Sequence, residues 1–238
     1  MIAYLLVAHG SRDPYFAQSV NRVAAACARS ISSPVGAAYL ELAPTSLINQ
    51  ITVFAQQLGC QELRILPLFL APGVHSSIDL PEAIAGAQAE LKTSCQLVLL
   101  KPLGNSMASI LQPIRETLPA DTVLLAHGSR HAGDFLLNLA TKLRATPAFW
   151  AIFPPTAPEA TLANGVTDCS QAAEIGILLY FLFPGKTSTA IDAVISELKL
   201  RFPHSHIRST ALLGEHPMVI EKIGQLLLGQ ELGAGSLS

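Results

Sequence analysis

Apolar runs alternate with amphipathic stretches along nearly the whole chain. Ile2–Ala8 has the length and continuity of a strand buried on both faces. Asp13-Pro14 then sets a capping side chain ahead of a proline in the first turn of a helix that runs to about Ser30. A second strand is predicted over Val35–Leu40, and a helix from Pro44 to about Leu58 with Leu47, Ile48, Ile51 and Phe54 at helical spacing. A third strand follows over Leu63–Leu70. Asp79-Leu80-Pro81 opens a helix to about Leu91, followed by a strand at Gln96–Leu100 and a helix at Ser106–Thr117. The order then repeats. Strands at Thr122–Ala126, Ala148–Phe153, Gly176–Phe183 and Ile207–Leu213 are followed in turn by helices at Asp134–Leu143, Ala157–Ala172, Thr187–Leu200 and His216–Leu228. Alternation of this kind predicts an α/β fold with parallel sheets flanked by helices, in which ligands bind beyond the carboxyl ends of the strands.

The repetition extends to the residues themselves. Ala8-His9-Gly10-Ser11-Arg12 recurs as Ala126-His127-Gly128-Ser129-Arg130, 118 positions on, and each follows an apolar run. The chain therefore reads as two copies of one unit: 1–118 and a degenerate repeat over 121–230, joined around Leu118-Pro119-Ala120. A frayed, flexible tail follows over 231–238. The copies differ where chemistry is at stake. Pro72-Gly73-Val74-His75-Ser76-Ser77 matches Pro184-Gly185-Lys186-Thr187-Ser188-Thr189, so His75 becomes Thr187. Ala38–Leu42 matches Ala151–Pro155, so Glu41 meets Pro154. Only the first half keeps His9, Glu41 and His75 together, each just past a predicted strand end.

Composition narrows the class. At 50% hydrophobic and 13% charged residues the chain is far from disordered, and no apolar run approaches the roughly 18 residues of a membrane span. The apolar N-terminus is too short, and lacks the basic front, for a signal peptide. A net charge of −2 carries no footprint for nucleic acid or anionic membrane. Cys27, Cys60, Cys95 and Cys169 form no C-x-x-C pair, which argues against a disulfide framework and for a reducing cytoplasm.

Each candidate has an ordinary reading: His9 as a structural histidine, Glu41 as a solvated cap, His75 as a turn residue facing water. All three being ordinary at once, in one half, is much harder to accept. Two imidazoles and a carboxylate suit a divalent first-row metal such as iron, cobalt, nickel or zinc, and they equally suit acid–base work near neutral pH. Ser11 and Arg12, at the start of the first helix, and Ser76 and Ser77 are candidates for binding an anionic substrate group, although the latter two can also serve only as helix caps. Gly10 and Gly73 are expected to allow tight turns and close backbone approach.

Three segments together, Leu5–Pro14, Tyr39–Leu42 and Leu66–His75, resemble the class II chelatases of the CbiX/SirB family, and the resemblance covers the full length, since the long form of that family has two similar halves. It implies two chelatase-like α/β domains with an active-site cleft between them, and insertion of Fe²⁺ or Co²⁺ into sirohydrochlorin. Iron is favoured because sirohaem is the more widely needed product. It also implies that His9, His75 and Glu41 hold the metal and carry catalysis, with Glu41 accepting a pyrrole proton. The metal is then a substrate, no cofactor is permanently bound, and an internally duplicated chain is expected to work as a monomer. Pro154 and Thr187 depart from the family pattern and argue against a second active site. Two other functions use similar residues. A tetrapyrrole or metal carrier would bind without inserting. A histidine phosphatase also sets His-Gly after a strand, but places arginine before the histidine where this chain has Ala8 and Ala126.

Overall fold

A computed structural model describes residues 1–128, 132–150, 158–169 and 171–230. It contains two four-stranded parallel sheets. In the first, β1 (Ile2–Ala8), β2 (Val35–Tyr39), β3 (Glu62–Pro67) and β4 (Gln96–Leu99) lie in the order β2-β1-β3-β4. In the second, β5 (Thr122–His127), β6 (Thr146–Trp150), β7 (Glu174–Tyr180) and β8 (His206–Ser209) lie in the order β6-β5-β7-β8. The topology of one sheet is that of the other. In each, the chain reverses its winding beside the first strand, the place where parallel sheets open a crevice at their carboxyl edge.

The central strand β1 is apolar throughout, and β5 is apolar from Val123 to Ala126, because both of their faces are covered. In β1, Tyr4, Leu6 and Ala8 point to one core and Ala3, Leu5 and Val7 to another, as the two-residue period of a strand requires. In β5, Leu124 and Ala126 join Tyr4 and Leu6 in the same central core, while Val123 and Leu125 face outward. Four helices fill the space between the sheets: α1 (Pro14–Ile31), α4 (Met107–Glu116), α5 (Gly133–Lys142) and α8 (Pro217–Leu227). On the outer faces, α2 (Leu47–Leu58) and α3 (Leu80–Leu91) cover the first sheet, and α6 (Pro158–Asp168) and α7 (Lys186–Arg201) the second. One core thus joins the two halves. Each fully buried leucine or isoleucine in it contributes about 1.5–3 kcal/mol of burial. Arg115, itself buried, donates to the carbonyls of Pro119 and Ala120 and so pins the connection between the halves. No helix among the described residues is long and apolar enough to cross a membrane.

Several boundaries differ from the sequence reading. The third strand ends at Pro67, not Leu70: Leu68 N still reaches Val7 O at 2.8 Å, but Phe69 O turns to accept from Gly104 N at 2.9 Å, so the ladder is lost. β7 likewise stops at Tyr180 and β8 at Ser209, both short of the expected ends. α2 starts after Ser46, whose hydroxyl accepts from Asn49 N, and not at Pro44. The expected ends of the strand at Ala148–Phe153 and of the tail at 231–238 lie outside the described residues.

Candidate active site

His9 follows β1 directly, and its main chain holds Glu41 in place. Leu40 N donates to Ala8 O at 3.0 Å and Glu41 N to His9 O at 2.9 Å, so the β1–β2 ladder continues past both strand ends. Gly10 makes this possible. Its φ of +107° is a conformation side chains avoid, and a Cβ there would lie 2.0 Å from the carbonyl oxygen of Glu41. Gly73, by contrast, has open space around it and no positive φ, so the close approach expected there is absent.

Above this backbone the side chains converge. His9 Nε2 stands 3.8 Å from Glu41 Oε2, and the His9 and His75 rings lie 4.7 Å apart, tilted by 45°. A gap of 3.8 Å is too long for a hydrogen bond, and is within the about 4.2 Å that two ligands each about 2.1 Å from a shared first-row ion can span. Among the described residues no three His, Cys, Asp or Glu side chains are placed to hold one metal ion as they stand. Partial burial lowers the His9 pKa below the ordinary imidazole value of 6.5. His75 and His127 push it the same way, while Glu41 pulls against them. At neutral pH His9 is therefore an uncharged imidazole with a lone pair to offer a metal.

His75 is reached differently from the expectation. It lies eight residues past the end of β3, in a single π-helical turn, His75–Asp79, that runs without a break into α3. Its Nδ1 lies 2.7 Å from Asp79 Oδ2. Asp79 is thus not the cap that Asp-Leu-Pro suggests. Its backbone is already helical and its side chain makes no capping bond. Ser77 Oγ donates to Gly73 O at 2.9 Å, which ties it to its own turn, and the side chain of Ser76 lies outside the described residues. Ser11 Oγ accepts from Asp13 N, Asp13 caps α1 through Tyr15 N, and Arg12 is exposed.

Two adjoining cavities open at this edge, and both are lined by the two halves together. The first, of about 580 Å³, runs from His9 and His75 along Leu68–Val74 to Tyr180–Phe183. It is apolar along most of its wall, a consequence of strand ends that continue as apolar loops. The second, of about 440 Å³, is lined by Gly10–Asp13 and by Pro184–Ser188, and so brings Arg12 and Lys186 to one lobe. Phe16 of α1 meets Phe183 edge-on at 5.4 Å where the two lobes join. His127 lines both lobes. It faces the same space as His9, its counterpart in the first half. The second-half stretches that correspond to Glu41 and to Ser129-Arg130 lie outside the described residues. Asp79, Phe16 and Tyr180 were missed. For Asp79 the signal was present as a histidine and an aspartate four residues apart, and the following proline masked it.

The CbiX family model matches residues 3–115 and again 121–228. The sirohydrochlorin cobaltochelatase of Methanothermobacter thermautotrophicus is 32% identical over 83 residues, 35% of this chain and 57% of that protein, so the chain matches little more than half the length of that relative. The sirohydrochlorin cobaltochelatase of Priestia megaterium is 26% identical over 241 residues, 91% of this chain and 76% of that one. The structure of SirB from Bacillus subtilis with Fe3+ superposes with a TM-score of 0.75 at 22% identity, covering 96% of this chain and 95% of that one.

Proposed function

The chain belongs to the CbiX family, matched in both halves, and on that premise we propose that it inserts a divalent metal, Fe²⁺ or Co²⁺, into sirohydrochlorin. The observation that carries this reading is that His9 and His75 line an apolar cavity walled by both halves, with Glu41 3.8 Å from His9. A metal ion entering a macrocycle must shed water, and the ring must give up two N–H protons. His9 and His75 supply neutral nitrogen ligands that replace water on the ion. Glu41, 3.8 Å from His9 and with its side chain 49% exposed, can take a proton from a pyrrole nitrogen and release it to solvent before taking the second. The metal leaves with the product and is a substrate throughout.

The two lobes fit the two parts of such a substrate. The ring suits the wall formed by Leu68, Leu70, Tyr180 and Phe183, in a cavity of about 580 Å³, within the usual range for small-molecule sites. The carboxylate arms suit Arg12 and Lys186, with Ser11 nearby. Ser76 and Ser77 remain in the proposal as residues beside the His75 turn, and the Ser77 hydroxyl must leave Gly73 to reach substrate. Since one chain supplies both walls, it is proposed to act as a monomer, in a reducing cytoplasm that matches four free cysteines.

Anaerobic absorbance of sirohydrochlorin with Fe²⁺ or Co²⁺ tests the proposal. Many turnovers by the wild type, lost in His9→Ala and in His75→Ala, support it. A spectral shift that stops at one equivalent of protein identifies a carrier instead. Hydrolysis of an aryl phosphate in place of insertion would identify a phosphatase.

A further inference from the structure

Asp79 takes no part in the metal-handling set just described, yet it makes a close polar contact with one of its members. Its Oδ2 lies 2.7 Å from His75 Nδ1, with both side chains partly buried. We infer that Asp79 is a positioning residue that fixes the tautomer and ring direction of His75, so that Nε2 faces the incoming metal with its lone pair free. This rests on the reading of His75 as a metal-handling residue.

The chemistry follows from the acceptor. A carboxylate has no hydrogen to donate, so the proton of a neutral His75 must sit on Nδ1, and Nε2 is left as the ligand atom. Metal-binding histidines gain orientation and basicity when their second nitrogen donates to a carboxylate in this way. The backbone is built to deliver the pair. The turn from His75 to Asp79 is closed by Leu80 N donating to His75 O, five residues apart. Such wide turns are rare, and they bring residues four apart almost directly above one another. Asp79 leaves the start of α3 without a side-chain cap, so its carboxylate is committed to His75. The second copy provides an internal control. At the same offset that turns His75 into Thr187, Asp79 becomes Ile191, which is buried in the outer core. There α7 starts as an ordinary helix at Lys186. Histidine, aspartate and wide turn occur together in one half and are all missing from the matching stretch of the other, Thr187–Ile191.

The test uses the full chain without tetrapyrrole, with Co²⁺ as the probe, and reads two signals. The first is the ¹⁵N shift pattern of the His75 ring. The Nδ1–H form should dominate in the wild type and in Asp79→Asn, whose amide oxygen still accepts, and give way to Nε2–H in Asp79→Ala. The second is the Co²⁺ ligand-field spectrum. Asp79→Ala should weaken Co²⁺ binding 10- to 100-fold, the usual loss for such a partner, while Asp79→Asn recovers most of it. Metal-free sirohydrochlorin should bind all three proteins equally. An Nε2–H tautomer in the wild type overturns the inference even if the alanine variant fails to fold. So does an alanine variant with unchanged tautomer and unchanged Co²⁺ affinity. A wild type that shows the Nδ1–H tautomer but binds no Co²⁺ overturns the metal-handling reading beneath it, and leaves Asp79 in control of the ring alone.

Discussion

The hydroxyl of Tyr180, at the end of the second half's central strand, donates to the carbonyl oxygen of Leu70 in the first half at 2.7 Å. Tyr180 is 3% exposed, and burial holds its phenol well above the ordinary value, so it acts only as a neutral donor. Leu70 lies on the loop that leads from β3 to His75, and Gly104 packs against the same carbonyl so closely that a Cβ there would lie 2.3 Å from it. The bond therefore anchors the loop that carries His75 to the opposite half. Tyr180→Phe removes the donor and leaves the ring in place. It should cost about 1 kcal/mol and lower the melting temperature by roughly 2–4 °C. Metal insertion should fall by more than this loss of stability explains, as measured by thermal melting beside turnover. A stability loss with unchanged turnover would show that the loop needs no anchor.

Glu41→Gln keeps the size of the side chain but removes the base. Metal insertion should drop about 100-fold or more, while the dissociation constant for metal-free sirohydrochlorin stays within about twofold. Absorbance titration and steady-state turnover measure the two quantities. Equal losses in both would remove Glu41 from the proton-accepting role.

The depressed pKa of His9 makes a signed prediction. The folded protein favours the neutral imidazole, so the His9 midpoint, read by NMR titration of its ring protons, should fall below 6.5. Glu41→Gln removes the one neighbour that raises the value and should move the midpoint further down. His75→Gln removes a neighbour that lowers it and should move the midpoint up. Since a folded-state value below the unfolded one makes charging costly, stability from this group is intact above 6.5 and is lost as pH falls below that value. Co²⁺ affinity should follow the same midpoint, because proton and metal compete for one lone pair.

Arg12 and Lys186 reach the same lobe from opposite halves and have no ion-pair partner among the described residues. Replacing either by alanine should weaken sirohydrochlorin binding roughly threefold to fivefold at low salt, and the effect should shrink as ionic strength rises and screening shortens. Co²⁺ binding without tetrapyrrole should not change. A loss that persists undiminished at high salt would point to misfolding of the lobe and not to charge.

Much of this architecture is legible from the chain alone, and the physical reason is burial. Strands covered on both faces must be apolar along their buried length, so Ile2–Ala8 and Val123–Ala126 stand out, and the repeat of Ala-His-Gly-Ser-Arg announces two equivalent sheets. The same rule misled at Leu68-Phe69-Leu70. Leu68 still reaches Val7 and packs in the core, but Phe69 and Leu70 leave the ladder, and all three line the cavity. The wide turn at His75 depends on one shifted hydrogen bond, which leaves no compositional trace, and Asp79 ahead of proline imitates a cap. Contacts between halves, such as Tyr180 with Leu70 or Phe16 with Phe183, join residues more than 100 positions apart and have no local pattern.

The central core described above also sets a direction on the history of the molecule. Tyr4, Leu6, Met107 and Leu111 of one half share that core with Leu124, Leu136 and Ile223 of the other. A gene cut at the linker would yield two fragments with bare apolar flanks, each needing a companion. Once two equal units are fused across such a face, parting is penalised but divergence is not. The copy with Thr187 and Ile191 in place of His75 and Asp79 keeps its structural post, and its loops form the far wall of the cavity beside His9.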